Sequence, residues 1–225
     1  MTEAALGKER IASWSLLFDA QKSASLKECG IGMQDAPEET FSVLFTYQGR
    51  NLVRSSSRRV DRAGEQLLAL RREARVLDNT RHTQALQAGE LCMTSAWSGL
   101  ALRAAAQSAQ PLEFIIPTEG APLTITSLAI PSDAARPDLA YQFINYLLIP
   151  SNSVRNSQAT YFYSSLKPET PELNKLAESQ PQLLPTPQAR HLLYLSESLS
   201  PQLKTAVNRH WQELRNIQPK AGREL

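Results

Sequence analysis

An apolar stretch that hands a tryptophan to a small-residue turn constrains this chain more than any other feature. Cys92-Met93-Thr94-Ser95-Ala96 reads as a short strand, Trp97 stands at its carboxyl tip, and Ser98-Gly99 opens a helix. A second apolar stretch, ending Ile115-Ile116-Pro117-Thr118-Glu119-Gly120, follows that helix. Strands alternating with helices argue for α/β layers. In open α/β sheets, strand tips and helix N-termini converge on one crevice where ligands sit. An indole at such a tip is a flat face for stacking a ligand or a cation. A half-buried core tryptophan has the same sequence signature, so this segment alone leaves both readings open.

At 225 residues the chain is long enough for one large domain or two small lobes. Its 42% apolar and 20% charged content suits a chain that buries a sizeable core. A net charge of +2 is too small to argue for nucleic acid or an anionic membrane as partner. No apolar run approaches the roughly 18 residues of a membrane span. The longest apolar helical stretch, 139–149, is interrupted by Gln142 and Asn145. The start, Met1-Thr2-Glu3-Ala4-Ala5, lacks the basic and apolar regions of a secretory leader. The expectation is a cytoplasmic protein if the chain is complete, or a piece whose leader lies upstream. Cys29 and Cys92 cannot make a zinc site alone, and no CxxC is present. They are either two reduced thiols or one disulfide, which implies an oxidising compartment.

Pro37-Glu38-Glu39 starts a helix, with Phe41, Leu44 and Phe45 on one face and Gly49 at its end. Polar residues 51–60 read as loop. Residues 62–76 read as a helix with Ala63, Leu67, Leu70 and Ala74 inside. Thr80 caps a short helix that Gly89 closes. Residues 91–96 and 112–116 read as strands, 99–107 as a helix, and 124–130 alternates in the β manner. After Pro131-Ser132-Asp133, Asp138 caps a helix carrying Leu139, Phe143, Tyr146 and Leu147, which Pro150 stops. The Pro-punctuated stretch 168–187 reads as mostly extended. A last amphipathic helix follows Pro201, with Leu203, Val207, Trp211 and Leu214 on one stripe, and the tail 219–225 frays.

Catalytic constellations are weak. His82, His191 and His210 lack metal-ligand spacing, and no GxSxG, Walker A or GxGxxG motif occurs. Nothing supports an enzyme, and no cofactor is implied. Arg58, Arg59, Arg62, Arg71, Arg72 and Arg75 have no interleaved aromatics. A solvated helix face therefore outweighs nucleic-acid binding.

Five segments, in order from about residue 13 to 215, carry a resemblance. They are Ser13-Trp14-Ser15-Leu16-Leu17-Phe18, Asp35-Ala36-Pro37-Glu38-Glu39-Thr40-Phe41, Leu86-Gln87-Ala88-Gly89-Glu90-Leu91-Cys92, Ile116-Pro117-Thr118-Glu119-Gly120-Ala121, and Ala140-Tyr141-Gln142-Phe143-Ile144-Asn145-Tyr146-Leu147-Leu148. Together they resemble the periplasmic putrescine/spermidine-binding proteins of bacterial ABC transporters. The resemblance implies a periplasmic-binding-protein-like (type II) α/β fold, with two lobes closing on a polyamine and a permease as partner. It implies a chain that covers roughly the last two thirds of such a protein, with the first lobe largely missing. Residues 1–123 then form the main lobe, 124–175 a crossover segment belonging to the incomplete first lobe, and 176–225 a return to the main lobe. The apolar helix 139–148 is left with an orphaned face, expected to pack back or to be covered by a second copy or another protein over 124–170. Cys29 and Cys92 fall where putrescine-binding members carry a disulfide. That pairing implies a periplasmic setting and a closed loop of about 60 residues, worth about 3–4 kcal/mol on the chain-entropy model.

Polyamine recognition needs carboxylates for the ammonium groups and aromatic walls for the methylene stem. By resemblance Glu39 is a carboxylate that meets an amine, and Trp97 is an aromatic wall. A first-turn acid favouring the helix dipole is the alternative for Glu39. A family serine corresponds to Asn79 and a family tyrosine to Phe162. Two family aspartates correspond to Leu100 and Thr126, which carry no charge. At about 1.5–3 kcal/mol per lost pairing, two such losses weaken binding by roughly two to four orders of magnitude. A binding-protein scaffold reused for interaction or regulation, without polyamine binding, is the alternative function.

Overall fold

The computed structural model describes residues 12–26 and 28–217. The expectations for the leader region and for the tail 219–225 lie outside the described residues. Two short helices, α1 (Ser15–Phe18) and α2 (Ala20–Ser25), lead into β1 (Ile31–Met33). α3 (Pro37–Tyr47) starts as its sequence dictates, with Pro37 and the acids Glu38 and Glu39 in the first turn. Its Phe41, Leu44 and Phe45 are buried, and Gly49 reverses the chain with φ +67°. Next come α4 (Ser57–Arg71), β2 (Val76–Leu77), α5 (Arg81–Gln87), β3 (Met93–Thr94) and α6 (Ser98–Gln107).

The three strands form one parallel sheet in the order β2-β1-β3, with helices following each strand. Their carboxyl ends therefore lie along one edge. The larger core gathers α1, α3, α4 and the last helix, α11 (Pro201–Asn216), around Phe41, Phe45, Leu67, Val207 and Trp211. All four residues of the stripe expected on α11 are buried. α11 packs along α4, where Gly64 leaves room for the His210 ring; a Cβ there would collide with it.

Before α11 the chain forms β4 (Ala121–Leu123), α7 (Pro137–Leu148), α8 (Pro150–Thr160), α9 (Pro171–Ser179), a 3-10 turn (Pro181–Leu183), α10 (Pro187–His191) and β5 (Leu193–Leu195). β4 and β5 pair in parallel. A smaller core joins Leu102 of α6 to Leu173, Leu176 and Leu183.

Several expectations are corrected. Residues 112–116 form no strand: among the described residues no ladder reaches them, and Phe114 instead packs on the smaller core. The alternating stretch 124–130, exposed up to residue 129, pairs with no strand among the described residues, because pairing with β5 stops at Leu123. The strand expected at 91–96 shrinks to Met93–Thr94. The helix expected at 62–76 instead spans Ser57–Arg71, taking in the end of the expected loop and freeing Val76–Leu77 for the sheet. The stretch 168–187 is largely helical, since Pro171, Pro181 and Pro187 each begin a turn rather than break one. Pro150 likewise ends α7 by opening α8. Arg136, not Asp138, is the residue preceding α7, and Asp138 accepts from its guanidinium. Thr80 does precede α5 but offers no side-chain cap; the Asp78 carboxylate does that work.

α7 does not pack back into a core. None of its residues is buried, and Tyr141, Phe143 and Tyr146 are each more than half exposed, at 63, 57 and 56%. Ile125 and Leu128 in the preceding segment are also exposed.

Candidate functional site

The parallel register decides which residues share the carboxyl edge. Gly32 and Met33 of β1 stand opposite Val76 and Leu77 of β2, and Gly32 stands opposite Thr94 of β3. Carried on, that register puts Asp78, Gln34 and Ala96 in one row and Asn79, Asp35 and Trp97 in the next. Hydrogen bonds hold the rows together: the Gln34 backbone N–H donates to Ser95 Oγ at 3.1 Å, and Asn79 Nδ2 donates to the Asp35 carbonyl at 3.1 Å. Three residues named by sequence reasoning, Glu39, Asn79 and Trp97, thus come from one edge of one sheet.

Glu39 lies in the first turn of α3 and is half-buried. Its neighbour Glu38 pairs with Lys204 at 3.0 Å, whereas no partner meets the Glu39 carboxylate among the described residues. Asp35 is nearer the sheet, but its oxygens are engaged by the Trp211 indole at 2.6 Å and by Arg215 at 2.8–3.1 Å. Asp78 was missed in the sequence. Its Oδ1 accepts from the Arg81 amide at 2.6 Å and the Thr80 amide at 2.7 Å, which holds the carboxyl below the usual range. A short polar run after an apolar pair, Asp78-Asn79-Thr80, was the signal available for it.

Trp97 is 38% exposed at the start of α6. That helix has no acid in its first turn, and Leu100 sits there half-buried. Phe162 reaches the same place from the end of α8, where Tyr161 adopts φ 64° and turns the chain. Its ring rests on Gly99: a Cβ at that position would fall 2.5 Å from Phe162 Cδ2. Arg103 of α6 ties the segment down by donating to the Ala159 carbonyl at 3.1 Å. The Phe162 ring therefore sits against the glycine two residues after Trp97. Thr126 lies in the exposed 124–130 stretch and makes no hydrogen bond with these residues among those described.

Cys29 and Cys92 are bonded to each other at the opposite, amino end of β1 and β3. Two of the resembling segments also meet: Ser13 Oγ donates to Glu119 at 2.5 Å, and the Trp14 indole donates to the Gly120 carbonyl at 2.7 Å. No cluster of metal-binding side chains occurs among the described residues. His82 is fully buried and His210 sits between Asp61 and Glu213.

This arrangement, carboxylate and aromatic side chains at the carboxyl edge of a parallel sheet, suits the capture of a small solute. The chain belongs to the bacterial extracellular solute-binding protein family, whose profile matches residues 1–184. The putrescine-binding periplasmic protein PotF of Escherichia coli (strain K12) is 29% identical over 95% of this chain and 60% of its own length. The putrescine-binding periplasmic protein SpuD of Pseudomonas aeruginosa (strain UCBPP-PA14) is 24% identical over 92% of this chain and 58% of its own length. Among solved structures, a putative spermidine/putrescine ABC transporter protein from Listeria monocytogenes superposes with a TM-score of 0.78 at 18% identity. That match covers 95% of this chain and 64% of the other, and it establishes the periplasmic-binding-protein-like fold. The chain thus spans about 60% of the length of the curated relatives it matches.

Proposed function

We propose that this chain belongs to a solute-binding protein that captures a polyamine-type amine, putrescine-like in class, outside the cytoplasm and delivers it to an ABC permease. The observation that carries this reading is the Glu39 carboxylate, without a partner among the described residues, on the same sheet edge as the exposed Trp97 indole. An ammonium group leaves water only for an anion or strong acceptors, and an indole face covers an alkyl stem well. The names of the relatives and the Cys29–Cys92 bond, which suits an oxidising compartment, point the same way. Leu100 and Thr126 make the grip weaker than a fully acidic one.

The lobe reading, with 1–123 and 176–225 together and 124–175 as crossover, draws support from β4–β5 pairing and from α11 lying on α3 and α4. The exposed face of α7 favours a covering partner over 124–170. We take this to be further α/β structure of the kind that the relatives' extra length supplies. If that face is instead used by an unrelated protein, the scaffold serves interaction rather than transport. Calorimetric titration with putrescine, cadaverine and spermidine tests the main reading. Saturable heat is expected, and none at millimolar ligand overturns it.

A further inference from the structure

We propose that five arginines at the corner between α3 and α4, Arg50, Arg54, Arg58, Arg59 and Arg62, form a phosphate-binding surface that lays this protein against anionic phospholipid headgroups. This rests on the extracytoplasmic transport reading above and goes beyond it, by naming a face that meets the membrane rather than the solute.

The arginines along α4 divide by role. Arg71 is buried, and its Nη1 donates to the Ala74 carbonyl at 2.8 Å just past the end of the helix. Arg75 donates to the carbonyls of Glu28 at 2.7 Å and Glu90 at 3.1 Å. Both serve the fold. Arg58, Arg59 and Arg62, at the other end of α4, are exposed and form no ion pair among the described residues. The same holds for Arg50 and Arg54 in the connection from α3. Hydrogen bonds tie that connection to the helix: Gln48 Nε2 donates to Gln66 Oε1 at 3.0 Å, and Arg50 Nη1 donates to Gln48 Oε1 at 3.4 Å. Arg58, Arg62 and Gln66 follow one another at i, i+4 spacing, so Arg50 joins their stripe.

The local structure gains nothing from these charges. α4 begins at Ser57 with no acid in its first turn and no side-chain cap. Cations near the positive pole of a helix oppose it, so Arg58 and Arg59 weaken α4 rather than support it. Asp61, the one acid in the sequence from 50 to 62, is taken by Arg209 and His210. That segment carries five arginines and one acid, a net +4 in a chain of +2, which leaves the remainder at −2. Such an asymmetry marks a docking face for anions.

The chemistry selects phosphate on a lipid surface. Every cation of the cluster is an arginine, whose planar fork grips phosphate oxygens through paired N–H donors. Residues 48–66 contain no aromatic side chain on which a nucleic-acid base could stack. A docked protein calls for an apolar centre, whereas Leu52 and Val60, set among these arginines in sequence, are buried. Clusters of about four to eight cations attract anionic lipid, each contributing about fivefold.

The full chain, without amine, is mixed with vesicles of phosphatidylglycerol and phosphatidylcholine or of phosphatidylcholine alone, and sedimentation measures bound protein. Binding is expected to the anionic vesicles only, falling with added salt. Arg58→Gln/Arg59→Gln/Arg62→Gln is expected to weaken it by roughly a hundredfold with an unchanged or raised thermal midpoint. Arg155→Gln/Lys167→Gln/Lys175→Gln removes as much charge elsewhere and is expected to leave binding nearly unchanged. No binding to anionic vesicles, or an equal loss in both variants, overturns the surface. Release by inorganic phosphate beyond that by sodium chloride at equal ionic strength overturns it in favour of a free anion. Tighter binding to duplex DNA than to the vesicles overturns it in favour of nucleic acid. None of these outcomes touches the amine titration, so the transport reading stands or falls separately.

Discussion

The indole Nε1 of Trp211 donates to Oδ1 of Asp35 at 2.6 Å, joining the last helix to the tip of the central strand. Trp211 is 1% exposed, so removing its acceptor strands a buried N–H. Asp35→Ala should destabilise the chain by about 1–3 kcal/mol. Asp35→Asn keeps an acceptor for the indole and should cost less, because only the ionic part of the half-exposed Arg215 pair is then lost. Urea unfolding measures both; coincident midpoints for Asp35→Ala and the unaltered chain would contradict this.

His82 gives the stability a pH dependence. Burial pushes its imidazole below the usual 6.5, and the neighbouring Asp78 acts the other way but is outweighed. Below pH about 6.5 the unfolded chain then binds the proton that the folded chain refuses. This contribution is complete above that pH and is lost as acid brings the medium towards the lowered folded value. His82→Leu should reduce the fall in melting temperature between pH 7.5 and pH 5. An identical fall in both proteins would exclude His82 as its source.

The Cys29–Cys92 bond closes a loop with a sequence separation of 63. The chain-entropy model assigns such a closure about 4 kcal/mol. Cys29→Ser/Cys92→Ser should lower the urea midpoint strongly, and a reductant should do the same to the unaltered chain but not to the variant. A reductant effect on the variant would point elsewhere.

Gly99→Ala forces a methyl group against the Phe162 ring. Overpacking of this kind costs about 1–3 kcal/mol. In a Phe162→Ala background the same change should cost much less, giving a measurable coupling in a double-mutant cycle. Additive effects would mean that the ring does not rest on Gly99 in solution.

How much could be read from the sequence depended on how much of each signal is local. The α3 start needed only Pro37 and two acids, and the α11 stripe recurs within one helix, so both were visible. Strands of two or three residues are too short to show a period, which hid β1 and β2 and made β3 look longer than it is. Prolines 150, 171, 181 and 187 carry opposite meanings at helix ends and starts, and only packing chose between them. Glu39, Trp97 and Phe162 were named by resemblance alone, and the seat of Phe162 on Gly99 depends on a turn at Tyr161 that no spacing announces. Asp78 was passed over because Thr80 stands nearer the start of α5, although the cap that Asp78 provides is just as local.

Covalent anchorage is unevenly shared within the three-stranded sheet. The bond from Cys29 to Cys92 rivets the seam between β1 and β3 at its amino end, and Ser95 latches the far end, whereas β2 is joined to β1 through hydrogen bonds such as Asp78 N to the Met33 carbonyl. Breathing of the sheet should therefore begin at β2, with amide exchange faster at Val76 and Leu77 than at Met93 and Thr94. In such an excursion the β1 and β3 tips, with Trp97, should move together while Asp78 swings away from them, so the oxidised bridge sets which side of the sheet edge holds its shape.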